Sequence, residues 1–424
     1  MITVAVVGAG VGGCSAAYFA RKYIPGSNVT IYEAKSRVGG RAFTYHQEQI
    51  QNELGAEFFN SSNIIVSGLV TELGLQTKKL NDLIDIAVWN GNEIIFQSGQ
   101  SLFYKMLGLV NNYKFSVPKL LFSLKLSERN IKNLYKQQEK SPAEFWKLFE
   151  SVGLDKWYKS SFEKILLDKG VDTSFIDELI TPITRIIYSQ NASLGGFAGL
   201  VALLGVYSQD LYNLKDGNQA LPKKLLEASN SKVELETKVK VVEKLSDGTF
   251  LVYAGEKVSV FDAVIVAAPL EVANISFDGV TIQNQLREYQ TIYVRLMKGQ
   301  INPGYFNLSS SKLPSIVLTS QEADPFTRFS INQSTKKGES WVTVTSTKPL
   351  EDSFVDELFK KGATVFDHTW CAAYPVFEPI QKLPNMCLDD NLLYLNGIES
   401  AASSMETSTF AALNSVKAIM EQLG

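Results

Sequence analysis

The sequence predicts an α/β fold in which a doubly wound parallel sheet, carrying an antiparallel insertion, is interleaved with a mixed α+β domain. Three observations carry that expectation. The opening residues read as strand (TVAVV), glycine loop (GAGVGG), helix (CSAAYFARKY) and strand (NVTIYEA), a βαβ unit of the length that doubly wound sheets use. Residues 232–268 alternate like strands (KVELETKVKVVEK, TFLVYAGEKVSVF, AVIVAAP), with Asp247-Gly248 marking a hairpin turn. From residue 385 the chain returns to a strand (NLLYLNG), a glycine, and a helix periodic through Phe410, Leu413, Val416, Ile419, Met420 and Leu423.

The parallel sheet is therefore expected to draw on residues 1–85, 205–285 and 385–424. Between these, 86–204 reads as helical, with Trp146 and Trp157 among many Phe, Leu and Tyr, while 286–384 alternates like a sheet (TIYVRLMKG, SIVLTS, SWVTVTST). No Ser/Pro/Gly linker, repeat or low-complexity tract divides the chain, so the two insertions are expected to form one substrate domain.

Composition narrows the chemistry. With 45% hydrophobic and 20% charged residues, the 424-residue chain suits a soluble protein with a sizeable core. Its 41 basic and 44 acidic side chains leave a formal charge of -3, which gives no field to draw the chain onto nucleic acid, and no nucleic-acid partner is expected. The three cysteines (Cys14, Cys371, Cys387) form no CxxC pair and the only histidines are His46 and His368, so no metal centre is expected and both histidines are read as structural. The stretch 193–206 (SLGGFAGLVALLGV) falls short of the roughly 20 apolar residues a bilayer span needs, so no transmembrane span is expected. The run ITVAVV has no basic residue before it and no small-residue cleavage site after it; it reads as a strand, and the expected compartment is the cytoplasm.

Gly8, Gly10 and Gly13 give GxGxxG between a strand and a helix. The first glycine permits the turn, the second lets backbone approach a pyrophosphate, and the third lets helix and strand pack closely, with the helix N-terminus facing the phosphates. Glu33 ends the second strand, where a carboxylate accepts from ribose hydroxyls and repels a 2′-phosphate; FAD and NAD both remain open, and NADP is disfavoured. Downstream, Gly39 and Gly40 allow a second close backbone approach, and Arg41 offers a guanidinium fork suited to phosphate. Gly55, Ala56 and Glu57 follow, Glu57 being read as a carboxylate satisfied by a partner beneath a flavin.

The segments GAGVGG, YEAKSRVGGRAF and GAEFF resemble the N-terminal signature of the FAD-dependent amine-oxidase-like flavoproteins. TKVKVV and LNGIESAASSMETSTFAAL look like later pieces of the same superfamily. The resemblance implies that the Val239 backbone meets adenine, that Gly397 and Glu399 contact the cofactor at a strand end, and that Met405 offers an amide and a helix dipole to the flavin. More specifically, LITPITRIIYSQNASLGGFAGLVAL, NLKDGNQALPKKLLEAS, DAVIVAAPL, AAYPVF and LLYLNGIESAASSMETS resemble the prenylcysteine oxidase family, known in plants as farnesylcysteine lyase. That resemblance implies a Rossmann-like FAD domain and oxidative cleavage of a thioether. Hydride leaves the prenyl carbon for the flavin, water adds, the adduct collapses to aldehyde and cysteine, and oxygen returns as hydrogen peroxide. Another amine-oxidase-like flavoenzyme, acting on an amine or isoprenoid, and a non-catalytic flavoprotein are the alternative readings.

The substrate then implied is a small lipidated molecule, with molecular oxygen as co-substrate. Burying a farnesyl tail contributes on the order of 10 kcal/mol before ordering costs, which demands a long apolar pocket. Its other end is a zwitterion. Arg185, in the apolar run ITPITRIIY, is a candidate for that charge, the alternative being an ion pair with Asp177 or Glu178. Tyr188, Trp370 and Tyr374 are candidate walls of the flavin face. Cys371 lies upstream of Gly397, roughly where some amine oxidases attach flavin, but the resembling branch implies none, so FAD is expected to be non-covalent. Between 99 and 138, Lys105, Lys114, Lys119, Lys125, Arg129, Lys132 and Lys136 stand against Glu128, a pattern that suits either a solvated helical face or peripheral contact with an anionic membrane.

Overall fold

A computed structural model describes residues 1–47, 50–80, 85–97, 116–136, 145–207, 210–283, 286–308, 313–320, 325–334 and 338–423. The first strand, Thr3–Val7, lies inside a six-stranded sheet in the order Lys232–Glu234, Asn28–Tyr32, Thr3–Val7, Ala263–Val266, Leu392–Tyr394, Cys387–Asp389. All its neighbours pair in parallel except the last, an antiparallel edge. Period-2 alternation sorts its two faces. Val4, Val6, Ala263, Ile265 and Leu393 pack into the main core with the helices Val11–Tyr23 and Met405–Leu423, whereas Ala5, Val7, Val264, Val266 and Leu392 pack beneath a four-stranded sheet. That second sheet runs Lys257–Phe261, Phe250–Ala254, Val239–Lys244, Ser276–Asp278 and contains the Asp247-Gly248 turn, in which the Asp247 carboxylate accepts from the Thr249 amide at 3.0 Å.

Three elements differ from the sequence reading. KVELE and KVKVVE, read as one strand, divide between two sheets: Lys232–Glu234 extends the parallel sheet, and the chain turns through Glu236, at a φ of 52°, before Val239 begins the antiparallel one. The closing strand is three residues long, because the chain tightens into a 3₁₀ turn over Leu395–Ser400 before the last helix starts at Met405. Residues 86–97, read with the helical segment, form two strands, Ile86–Trp89 and Ile94–Gln97, joined by a turn in which Asn90 accepts from the amides of Asn92 and Glu93.

Those two strands complete a seven-stranded sheet in the order Phe359–Pro375, Tyr289–Ile301, Ser340–Ser346, Arg328–Ser334, Ile316–Thr319, Ile86–Trp89, Ile94–Gln97. Both insertions thus feed one sheet. The helix Gly196–Tyr207, rich in small residues, is buried against Phe162: a Cβ on Gly199 would lie 2.2 Å from that ring, so its composition serves close helix packing.

Candidate functional site

At the carboxyl end of the parallel sheet, the backbone forms a cradle. Gly8 adopts a φ of +108° and donates its N–H to Tyr32 O at 2.7 Å, while a Cβ on Gly13 would lie only 1.9 Å from Gly8 O. Gly10 sits at the N-terminus of the helix Val11–Tyr23 with no side chain capping it, which leaves that turn's amides to an anion. Gly40 closes from the other side, where a Cβ would stand 3.0 Å from Gly10 Cα. Glu33 accepts from the amides of Ala9 (2.8 Å) and Lys35 (2.9 Å), and its carbonyl accepts from Thr237 N–H (2.8 Å), which holds the Val239 strand beside it. Closely packed glycine backbone at an uncapped helix N-terminus, with a fixed carboxylate at the strand end, fits a dinucleotide.

Beyond the cradle stands a network of charged side chains. Arg41 forms an ion pair with Glu399 and donates to Ala373 O (3.1 Å) and Ser403 Oγ (3.3 Å). Glu399 is 1% exposed and also accepts from the Tyr289 hydroxyl at 2.8 Å. Burial works to raise the Glu399 carboxyl, but Arg41 and Arg287 outweigh it and hold the group below the usual carboxylate range. Arg287 is itself saturated: it donates to Glu271 (2.7 Å), Asn396 O (2.7 Å) and the Tyr394 hydroxyl (2.7 Å). Gly397 and Glu399 both lie in the 3₁₀ turn. At Met405 the last helix opens with Ser404 and Thr407 capping each other reciprocally (2.9 and 3.1 Å).

Gly55 packs on Arg41 and Trp370; a Cβ there would meet Arg41 O at 1.9 Å and the indole at 3.2 Å. The Ala56 amide donates to Arg41 O, and Trp370 donates its indole N–H to Leu54 O at 2.7 Å. Glu57 has a partner that the sequence reading missed, Arg328, whose Nη1 and Nη2 both donate to the carboxylate. Tyr374 stands where Glu57, Arg41 and Arg328 all act on its hydroxyl, and burial raises that hydroxyl's pKa. Tyr188 packs edge-on to Tyr374 and Phe377, with centroids at 5.1 and 4.8 Å, and donates its hydroxyl to Ser403 O at 3.1 Å.

Arg185 is 3% exposed and donates to Thr319 Oγ1 (3.0 Å) and Asn191 Oδ1 (3.3 Å), while Asp177 and Glu178 are exposed on the preceding helical turn. His46 is exposed on a hairpin, and His368 is wedged among Phe43, Phe366 and Trp370. Burial, with Arg37 and Lys35 adding to it, pushes the His368 imidazole down to about 4, so it is neutral at pH 7. Arg328, Arg287 and Tyr289 went unnoticed in the sequence, yet FTRFSI carries the same signal as ITPITRIIY, an arginine among apolar neighbours.

The helix Ser116–Lys136 buries Leu120, Leu124, Ile131 and Leu134 and exposes Phe122 (77%) and Leu126 (54%). An open groove of about 250 Å³ runs beside them, edged by Lys119, Lys156 and Lys169. Lys125, Arg129 and Lys136 are exposed on the same helix; Lys105 and Lys114 lie outside the described residues. Among the described residues no helix is long and apolar enough to cross a membrane, and no cluster of His, Cys, Asp and Glu could hold a metal.

The chain matches two family models: an NAD(P)-binding Rossmann-like domain over residues 6–73 and prenylcysteine lyase over residues 96–423. It is 29% identical to farnesylcysteine lyase of Arabidopsis thaliana, covering 99% of this chain and 88% of that protein. Prenylcysteine oxidase 1 of Bos taurus is 30% identical, covering 97% of this chain and 87% of that one. Among solved structures, cyclohexylamine oxidase from Brevibacterium oxydans IH-35A superposes with a TM-score of 0.69 at 15% identity, covering 100% of this chain and 99% of that one. Putrescine oxidase bound to putrescine gives 0.67 at 16%, covering 99% of each chain. The chain shares the fold of these oxidases.

Proposed function

The chain belongs to the prenylcysteine lyase family, and from that premise we propose that it is an FAD-dependent oxidase cleaving the thioether of farnesyl- or geranylgeranyl-cysteine to a prenyl aldehyde, free cysteine and hydrogen peroxide. One observation carries the reading. The dinucleotide cradle ends on the seven-stranded sheet, held there by Arg41 donating to Ala373 O and Trp370 donating to Leu54 O, so the redox end of a cofactor and a substrate on that sheet share one boundary. Bound FAD supplies a two-electron acceptor for the hydride on the prenyl carbon next to sulfur, with oxygen as the final acceptor. The protein's own work is placement and dryness. Tyr188, Tyr374, Phe377 and Trp370 form the aromatic wall of that boundary, and the neutral His368 stays within its packing cluster.

Cofactor attachment is proposed to be non-covalent. Cys371 is exposed, whereas the preceding Trp370 is buried against the Gly55 segment, which sets the thiol apart from that packing. Acid precipitation is expected to release the yellow cofactor into the supernatant; colour retained in the pellet would overturn this point. The main test is anaerobic. Purified holoenzyme mixed with farnesylcysteine is expected to lose its flavin absorbance and to regain it on admitting air, with one peroxide formed per aldehyde. Bleaching by amines alone would replace the thioether reading with that of an amine oxidase.

A prenylated substrate comes from a lipid setting, and the exposed Phe122 and Leu126, ringed by Lys119, Lys125 and Arg129, support peripheral contact with an anionic membrane surface. Flotation with anionic vesicles is expected to carry the protein at low salt and to lose it at high salt. The double substitution Phe122→Glu, Leu126→Glu should abolish flotation without changing the flavin spectrum.

A further inference from the structure

We infer that Glu57 and Arg328 together form the recognition site for the α-amino-acid end of the substrate, a zwitterion with a carboxylate and an ammonium group. The inference rests on the thioether oxidase reading and deepens it. Arg328 stands on the strand Arg328–Ser334 of the seven-stranded sheet, and Glu57 follows the Gly55 that packs on Arg41. Their ion pair therefore spans the boundary between cofactor cradle and substrate sheet, beside Tyr374.

The pair is incompletely satisfied, and in a particular way. Arg328 is 9% exposed; Nη1 and Nη2 serve Glu57, and the buried Nε–H has no partner. A buried cationic donor without an acceptor is costly, so it persists where an acceptor arrives from outside the chain. Glu57 remains open, with 29% of its side chain exposed, and so keeps carboxylate lone pairs accessible to a cation. An unfilled guanidinium edge beside a reachable carboxylate is the charge complement of a zwitterion: the substrate carboxylate takes the Nε side of Arg328, and its ammonium takes Glu57. Neighbouring pairs lack this openness. Glu399 is sealed from solvent, and the Nε, Nη1 and Nη2 of Arg287 all donate within the protein.

The test uses holoenzyme and three thioethers: S-farnesylcysteine, S-farnesylcysteamine, which lacks the carboxylate, and S-farnesyl-3-mercaptopropionate, which lacks the amine. Wild type should favour the full zwitterion over each truncated analogue. Arg328→Gln should lower kcat/KM for farnesylcysteine by about 30-fold or more, mainly through KM, and erase the preference over farnesylcysteamine. Glu57→Gln should erase the preference over the mercaptopropionate instead. Because breaking a buried pair strains folding, the double variant Glu57→Gln, Arg328→Gln, which leaves no lone charge, is measured beside them, with the flavin spectrum as the check on assembly; both preferences should vanish in it. If variants that retain flavin discriminate as wild type does, or lose all three substrates equally, the pair is only structural and the inference is overturned. If wild type bleaches with none of the three, the thioether reading itself falls and takes this inference with it.

Discussion

The parallel sheet and the seven-stranded sheet build their halves of the site from different materials. The first uses backbone: Gly8, Gly10, Gly13 and Gly40 let main chain and a helix end come together with no side chains between them, and one carboxylate, Glu33, is held by two amides. The second uses side chains carried on strands, with Arg328 on one strand and Trp370 and Tyr374 together on another. A backbone site tolerates almost no added atom, because its walls are themselves main chain. A side-chain site tolerates substitution but depends on charge and hydrogen-bond balance.

Three substitutions sharpen that contrast. Gly13→Ala should have the largest effect: its Cβ would fall 1.9 Å from Gly8 O, a main-chain atom, so we expect a loss of about 4 kcal/mol or more and protein purified without its cofactor. Thermal melting and the ratio of flavin to protein absorbance check this; a wild-type melting temperature would break the distinction between the two halves. Next comes Arg41→Met, which leaves Glu399 buried and deprived of its ion-pair partner. A loss of about 3–5 kcal/mol is expected, and Glu399→Gln in the same chain should recover much of it. Since Glu399 is held below its ordinary range, the stability it contributes is present above the unfolded carboxylate pKa and is lost as acid takes pH down through the folded value; the double variant should melt with less acid sensitivity.

The smallest effect belongs to His368. Its pKa falls to about 4 in the folded chain against an ordinary value near 6.5, so the unfolded chain binds the extra proton first and stability declines as pH falls from about 6.5 to 4. For a half-buried ring the decline is about 1 kcal/mol with solvent screening included. His368→Phe should flatten the melting temperature across that window, and an unchanged slope would assign the acid sensitivity to other groups.

The same division of materials decides what could be read in advance. Gly8, Gly10, Gly13 and Glu33 were legible because a backbone cradle is assembled within one βαβ unit, where spacing along the chain is spacing in space. The partnership of Glu57 with Arg328 was not, since its members lie 271 residues apart and no local pattern links them. Arg185 shows the limit in miniature: its isolation in an apolar run announced a buried guanidinium, but one of its acceptors, Thr319, comes from a strand 134 residues on. Ile86–Trp89 and Ile94–Gln97 were read as helical for a related reason. Apolar runs of four suit helix or strand alike, and what selects strand is the parallel pairing of Ile86–Trp89 with Ile316–Thr319.

Arg41 meets Glu399 across 358 residues of chain, and the strand that leads to Glu399 is the fifth of six in the parallel sheet. During synthesis, the glycine cradle is made first and waits for nearly the entire polypeptide before its electrostatic clasp exists. The junction between the cradle and the 3₁₀ turn is thus closed late in biogenesis, and a product released by a ribosome that stalls before residue 399 leaves Arg41 without this carboxylate partner.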